Sequence, residues 1–254
     1  MISENLLQIE RHGEIEVIKL SRGVINVLDS NLVQQLSETL ENIRGNPDIR
    51  GLVLSSTNEK FFSIGFDIPN LYDLADAAFT SFFHSFNQLC LSLYTLPKPT
   101  IAALTGHAIA GGCILALCCD QRIIAEGRKL IGLNEIKLGV PVPFIAECIL
   151  RQIINGRIVR GIVEGGGFYS PDEALRIGLV DEARPSERLL STAIEKARQL
   201  GGNIPYVFAT IKHSRTIEVE EQIEARLKER EKVFIESWFS KEARLLLKEA
   251  ISKF

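Results

Sequence analysis

The chain has 254 residues, 46% hydrophobic and 24% charged, with 29 Lys and Arg against 32 Asp and Glu for a formal net charge of −3. That suits one large domain, or a domain with a small appendage, that buries a real core; it offers no basic footprint for nucleic acid or an anionic membrane, and no stretch approaches the roughly 20 apolar residues of a bilayer span. The five cysteines show no CxxC or Cys/His metal spacing and are expected as buried, reduced thiols, and MISENLLQIERHGEIEV reads neither as a secretory signal nor as an Arg-rich transit peptide, so the expected setting is cytoplasmic, without a metal.

Two short β-like runs come first, Leu6–Glu10 and Ile15–Leu20, turning at His12-Gly13. A helix follows, capped by Asp29 or Ser30, with Leu32, Leu36, Leu40 and Ile43 at helical spacing and Gly45 and Pro47 at its end. Gly51–Leu54 is an apolar, β-rich run, and residues 58–67 are a loop. A second helix over Leu74–Leu93 puts Phe79, Phe83, Phe86 and Cys90 on one face and stops before Pro97 and Pro99. Thr100–Leu104 reads as a buried strand, residues 107–112 as a glycine-punctuated turn, Cys113–Cys119 as an apolar helix and Arg122–Ala125 as another strand. The alternation indicates an α/β fold with parallel strands covered by helices. From Ala146 onward the pattern is mainly helical, and Glu220–Glu236 is amphipathic, with Ile223, Leu227 and Phe234 on its apolar face. No internal repeat is visible.

Three segments carry residues suited to chemistry. In Phe61-Phe62-Ser63-Ile64-Gly65-Phe66-Asp67-Ile68, the glycine permits a positive φ and close approach of backbone to a ligand; read alone, the segment is more readily an ordinary turn with a helix cap at Asp67, since turn glycines are common. In Gly106-His107-Ala108-Ile109-Ala110-Gly111-Gly112-Cys113, free N–H groups at a helix start suit an anion or a developing oxyanion, and the small residues suit close helix–strand packing equally well. It is neither a phosphate loop nor a GxGxxG motif. In Ile131–Gly139, Glu135 lies among Ile131, Leu133, Ile136 and Leu138, where desolvation would raise its pKa towards a general-base value; the alternative is a salt bridge to Lys137 or another surface cation.

Together these segments resemble the crotonase superfamily, the enoyl-CoA hydratase/isomerase family, over nearly the whole chain. The markers run in family order: Asn26-Val27-Leu28, the Ile64–Ile68 loop, Ala110-Gly111-Gly112-Cys113, Asp120, Leu133-Asn134-Glu135 with Leu138-Gly139, and the run Ser170–Asp181. The resemblance implies a ββα spiral core over residues 1–195 with a helical trimerisation region over 196–254, assembled as a homotrimer or hexamer. It implies an acyl-CoA thioester as substrate, with coenzyme A part of that substrate and no separate cofactor. The N–H groups of Phe66 and Gly111 would form an oxyanion hole, and Val27, Leu28, Ile64, Gly65, Phe66, Asp67 and Ile68 would hold the coenzyme A portion. Glu135 would be the catalytic carboxylate.

One departure bears on the reaction. Hydratases of the family carry a first glutamate immediately after the Gly-Gly-Cys segment, and here that position is Ile114. An aliphatic side chain cannot activate water. A lone Glu135 suits movement of a double bond from 3-enoyl-CoA to 2-enoyl-CoA, and the Gly-Leu-Asn-Glu run resembles that of Δ3,Δ2-enoyl-CoA isomerases. Hydratase, decarboxylase and thioester-hydrolase chemistry are the alternatives, and a non-enzymatic scaffold is disfavoured by the presence of Glu135. His84 and His107 are further acid/base candidates whose other reading is structural.

Overall fold

The computed structural model describes residues 5–252. Its frame is a six-stranded sheet made of β1 (Leu7–His12), β2 (Ile15–Leu20), β3 (Gly51–Ser56), β5 (Thr100–Leu104), β7 (Gln121–Ala125) and β9 (Glu182–Arg184), side by side in that order. The hairpin β1–β2 is antiparallel and every other pairing in this sheet is parallel, so the sheet is mixed rather than all-parallel.

The parallel strands are apolar on both faces because both are covered. Val17, Val53, Ile101, Ala103 and Ile123 face α8 (Ser186–Gly201), which answers with Leu189, Ala193, Ile194 and Ala197 at helical spacing. Ile18, Leu52, Leu54, Ala102 and Leu104 face the main core, with α1 (Ser30–Gly45) and α3 (Asp76–Tyr94). Asp29, rather than Ser30, caps α1, accepting from the Leu32 N–H at 2.9 Å.

A second sheet lies inside segments whose sequence reads as loop and turn. It holds three parallel strands, β4 (Phe61–Ser63), β6 (His107–Ile109) and β8 (Ile131–Gly132). The chain makes the same excursion three times: β3 to β4 to α3, β5 to β6 to α4 (Gly111–Leu117), and β7 to β8 to a 3₁₀ turn (Glu135–Leu138) and α5 (Phe144–Ile153). This repetition of strand, strand and helix is invisible in the sequence because strands of two or three residues are too short to show alternation.

Beyond α6 (Gly156–Gly165), α7 (Pro171–Ile177) and α8 come the 34-residue α9 (Pro205–Trp238) and α10 (Lys241–Ile251). The buried stripe of α9 runs Lys212, Thr216, Val219, Ile223, Leu227, Glu231, Phe234, Trp238, at steps of three and four. Lys212 is the anchor, donating to Asp120 Oδ2 at 2.8 Å and the Lys98 carbonyl at 3.1 Å, while Asp120 also accepts from Thr100 and Arg215. Residue 195, the expected division, falls inside α8, whose inner face belongs to the large sheet; the purely helical region starts with α9. Phe234 and Trp238, which belong to the region expected to mediate trimerisation, are 2% and 1% exposed, packed inside the chain against α3.

Candidate active site

All three strands of the small sheet point their C-terminal ends the same way, and each end leads directly into a candidate residue: β4 into Ile64-Gly65-Phe66, β6 into Ala110-Gly111, β8 into Leu133-Asn134-Glu135. Sites gather at the C-terminal ends of parallel strands because the chain leaves the ladder there with backbone groups unpaired. A cavity of about 710 Å³ opens at this edge, lined by residues of all three loops and of α9 and α10.

The first loop is shaped by Asn26. This residue is fully buried in a left-handed conformation (φ 47°), and its Nδ2 donates to Ser56 Oγ and to the Phe62 carbonyl. Its own carbonyl accepts from Ser63 Oγ at 2.7 Å, and Ser63 Oγ accepts in turn from the Gly65 N–H. Two bonds then straddle Phe66: Leu28 N–H donates to the Gly65 carbonyl at 2.8 Å, and Asp67 N–H donates to the Leu28 carbonyl at 3.0 Å. In a parallel bridge of this kind the enclosed residue turns its own N–H the other way. The Phe66 N–H therefore faces away from Leu28 and donates to no group among the described residues.

The second loop supplies the matching donor. Ala110 is held at φ 47°, ψ −120°, a conformation that costs an L-residue about 1–3 kcal/mol. Gly111 opens α4, so its N–H has no acceptor within the helix, and none elsewhere among the described residues. Close packing joins the two loops. A methyl group on Gly65 (φ 90°) would stand 2.8 Å from Gly111 N, and one on Gly112 would stand 2.2 Å from the Ser63 carbonyl oxygen, so both contacts require glycine.

The third loop presents Glu135, 5% exposed, with Oε2 lacking any hydrogen-bond partner. Burial raises its pKa from 4.5 to about 7, with a partial offset from the N–H groups of Glu135 and Asn134. The salt bridge to Lys137 does not form; the Lys137 ammonium lies 5.4 Å from the centre of the Phe168 ring instead. Ile114 lies on the cavity wall and is 1% exposed.

Of the residues singled out by sequence, Ile64, Phe66, Ile68, Gly111, Ile114 and Glu135 line the cavity. Val27, Leu28, Gly65 and Asp67 stand behind it. Leu28 uses its N–H and carbonyl to hold the 65–67 loop, Val27 gives its carbonyl to Arg22, and the Asp67 carboxylate is taken up by Arg22 and Asn70 as it caps α2 (Ile68–Tyr72). His84 pairs with Glu231 of α9 at 3.2 Å, away from the cavity. His107 packs on Phe61 with Nδ1 buried and unpartnered, its pKa held below the ordinary value by burial and then by Lys129 and Lys60. The cavity residues that sequence reasoning missed are Asn134, Phe168, Phe234, Trp238, Leu246 and Glu249 among others. All but Asn134 come from distant parts of the chain, with only the amphipathic spacing of the C-terminal helices as a signal. Glu249 is a second carboxylate on the wall, exposed and on α10.

Comparison with known proteins bears on the family and the fold. A family model described as enoyl-CoA hydratase/isomerase matches residues 10–254. The enoyl-CoA delta isomerase 1, mitochondrial, of Mus musculus is 34% identical over 189 residues, which cover 74% of this chain and 65% of that protein, just under two thirds of its length. The short-chain-enoyl-CoA hydratase of Clostridium acetobutylicum is 28% identical over 202 residues, covering 79% of this chain and 77% of the relative. The crystal structure of human mitochondrial delta3-delta2-enoyl-CoA isomerase superposes with a TM-score of 0.94 at 25% identity, over 98% of each chain. Mixed sheet, small inner sheet and helical C-terminal region are thus the crotonase-type fold, and the chain belongs to the enoyl-CoA hydratase/isomerase family.

Proposed function

We propose that the protein isomerises 3-enoyl-CoA thioesters to 2-enoyl-CoA, with Glu135 as the single proton carrier. The observation that carries this reading is a buried carboxylate, unpaired at Oε2 and with a pKa of about 7, in a cavity whose wall carries Ile114, the residue that the family resemblance sets in place of the hydratases' other glutamate. The thioester carbonyl accepts from the N–H groups of Phe66 and Gly111. Glu135 removes a proton from C2, and the negative charge moves onto the thioester oxygen as a dienolate held by those two donors. The same carboxyl returns the proton at C4, the double bond moves into conjugation, and Glu135 regains its charge. Atoms and charge balance without a metal or separate cofactor, coenzyme A being part of the substrate. Apolar Ile114, Val140 and Pro143 on the wall favour this course by excluding water from the dienolate.

Incubation with 3-hexenoyl-CoA and 2-hexenoyl-CoA, with products followed by mass spectrometry and NMR, tests the reading. Isomerisation is expected to outrun hydration by at least ~10². Hydration at an equal rate would overturn the single-carboxylate mechanism. Glu249 is the feature that favours a hydratase as second reading; in that case Glu249→Gln abolishes hydration while sparing proton exchange at C2.

The proposed assembly is a trimer or hexamer. Ile204, Tyr206 and Ile211, at and near the start of α9, are each 60% exposed or more and provide apolar surface for it.

A further inference from the structure

The geometry points to Trp238 and Phe234 as the residues that set the longest acyl chain this cavity accepts. The inference rests on the proposal above that the cavity binds acyl-CoA. Both side chains line the cavity from the last turns of α9, four residues apart and hence on one face. Each is stacked on a phenylalanine of α3: Trp238 on Phe79, with ring centres 4.4 Å apart and planes 16° from parallel, and Phe234 on Phe83, at 4.0 Å and 12°. All four rings are at most 2% exposed. The wall is therefore backed by a second layer that itself belongs to the core, and a ligand cannot displace it without parting α3 from α9. One turn earlier on α9, Glu231 accepts from Asn87 Nδ2 at 3.0 Å and pairs with His84, which fastens those two helices together.

The reacting end is referenced to the same helix. Phe66, whose N–H would hold the thioester oxygen, packs edge-on against Phe82 and Phe86 of α3, with ring centres 5.0 and 4.9 Å away. One rigid element thus fixes both the carbonyl position and the wall, and the distance between them acts as a ruler for the chain. The same cavity is lined by apolar Ile114, Leu138, Val140 and Pro143, so each methylene that fits adds affinity and the first that does not fit meets close-packed aromatic rings.

Calorimetric titration with saturated acyl-CoAs from butanoyl- to hexadecanoyl-CoA reads this without any turnover. Binding is expected to tighten by up to about fourfold per methylene, then to stop improving at a definite length. Trp238→Ala moves that limit out by two methylenes or more. Trp238→Phe and Phe234→Leu, which disturb the core less, move it in the same direction by a smaller step. Leu246→Ala, on the α10 side of the cavity, leaves it in place. Affinity that grows without a break through hexadecanoyl-CoA overturns the inference, as does a limit unmoved by the Trp238 and Phe234 variants or moved by Leu246→Ala instead. A clear limit in a protein that fails to isomerise 3-hexenoyl-CoA preserves the ruler and removes the isomerase reading. Failure of every acyl-CoA to bind removes both.

Discussion

Burial holds the Glu135 carboxyl at a pKa of about 7 rather than 4.5, so between those two values the folded protein keeps a proton that the unfolded chain has released. The associated stability is fully present below pH 4.5 and is lost as pH rises through 7. The proposed catalysis needs the opposite form, the free carboxylate. The rate kcat/KM for isomerisation is expected to climb with pH and level off above about pH 7, which a pH–rate profile will show. Glu135→Gln separates the two effects. It is expected to lower turnover by about 10²–10⁴, yet to stabilise the fold at pH 8 by up to ~3 kcal/mol relative to the wild type, with little difference near pH 4. Urea melts at both pH values check this; equal stability at pH 8 would mean that the buried carboxylate has a compensating partner. Ala110 is the other residue under stress at the site, and Ala110→Gly at φ 47°, ψ −120° is expected to add ~1 kcal/mol by relieving strain.

Among the elements, the small sheet β4-β6-β8 does the positioning, although it contributes only eight residues. It was not legible in the sequence. The long helices were, because Leu32, Leu36, Leu40 and Ile43 repeat at a period that survives without tertiary context. The short strands follow from pairing with one another, and nothing local marks them. The same division runs through the site. Glu135, Gly111 and Phe66 stand out as candidates through motifs whose order resembles a family, whereas apolar neighbours alone leave Glu135 open between base and ion pair. The opposite wall of the cavity lies on α9 and α10, far along the chain, where the sequence shows an apolar face but not what it faces. Near its start α9 is also held by a buried ion pair. Lys212→Met removes one of the two cations paired with Asp120 and leaves Arg215 in place, so a loss of about 1–3 kcal/mol is expected in denaturant melts.

At the scale of the whole molecule, the large sheet with α8 is a scaffold, and the cavity lies between the small sheet and the two C-terminal helices. Phe234 and Trp238 belong to that cavity, so the proposed association between copies would use other surface, and Ile204, Tyr206 and Ile211 are the candidates. Light scattering is expected to give a mass about three or six times the 28.3 kDa of the chain; a value near 28.3 kDa at micromolar concentration would rule out the proposed assembly. The aromatic wall has an optical consequence as well. Trp238 is the one tryptophan in the sequence, and it stands on the cavity wall with its indole stacked on Phe79. All indole emission from the protein therefore reports a single place. An acyl-CoA that fills the cavity should shift or quench that emission, and coenzyme A without its acyl group should leave it nearly unchanged.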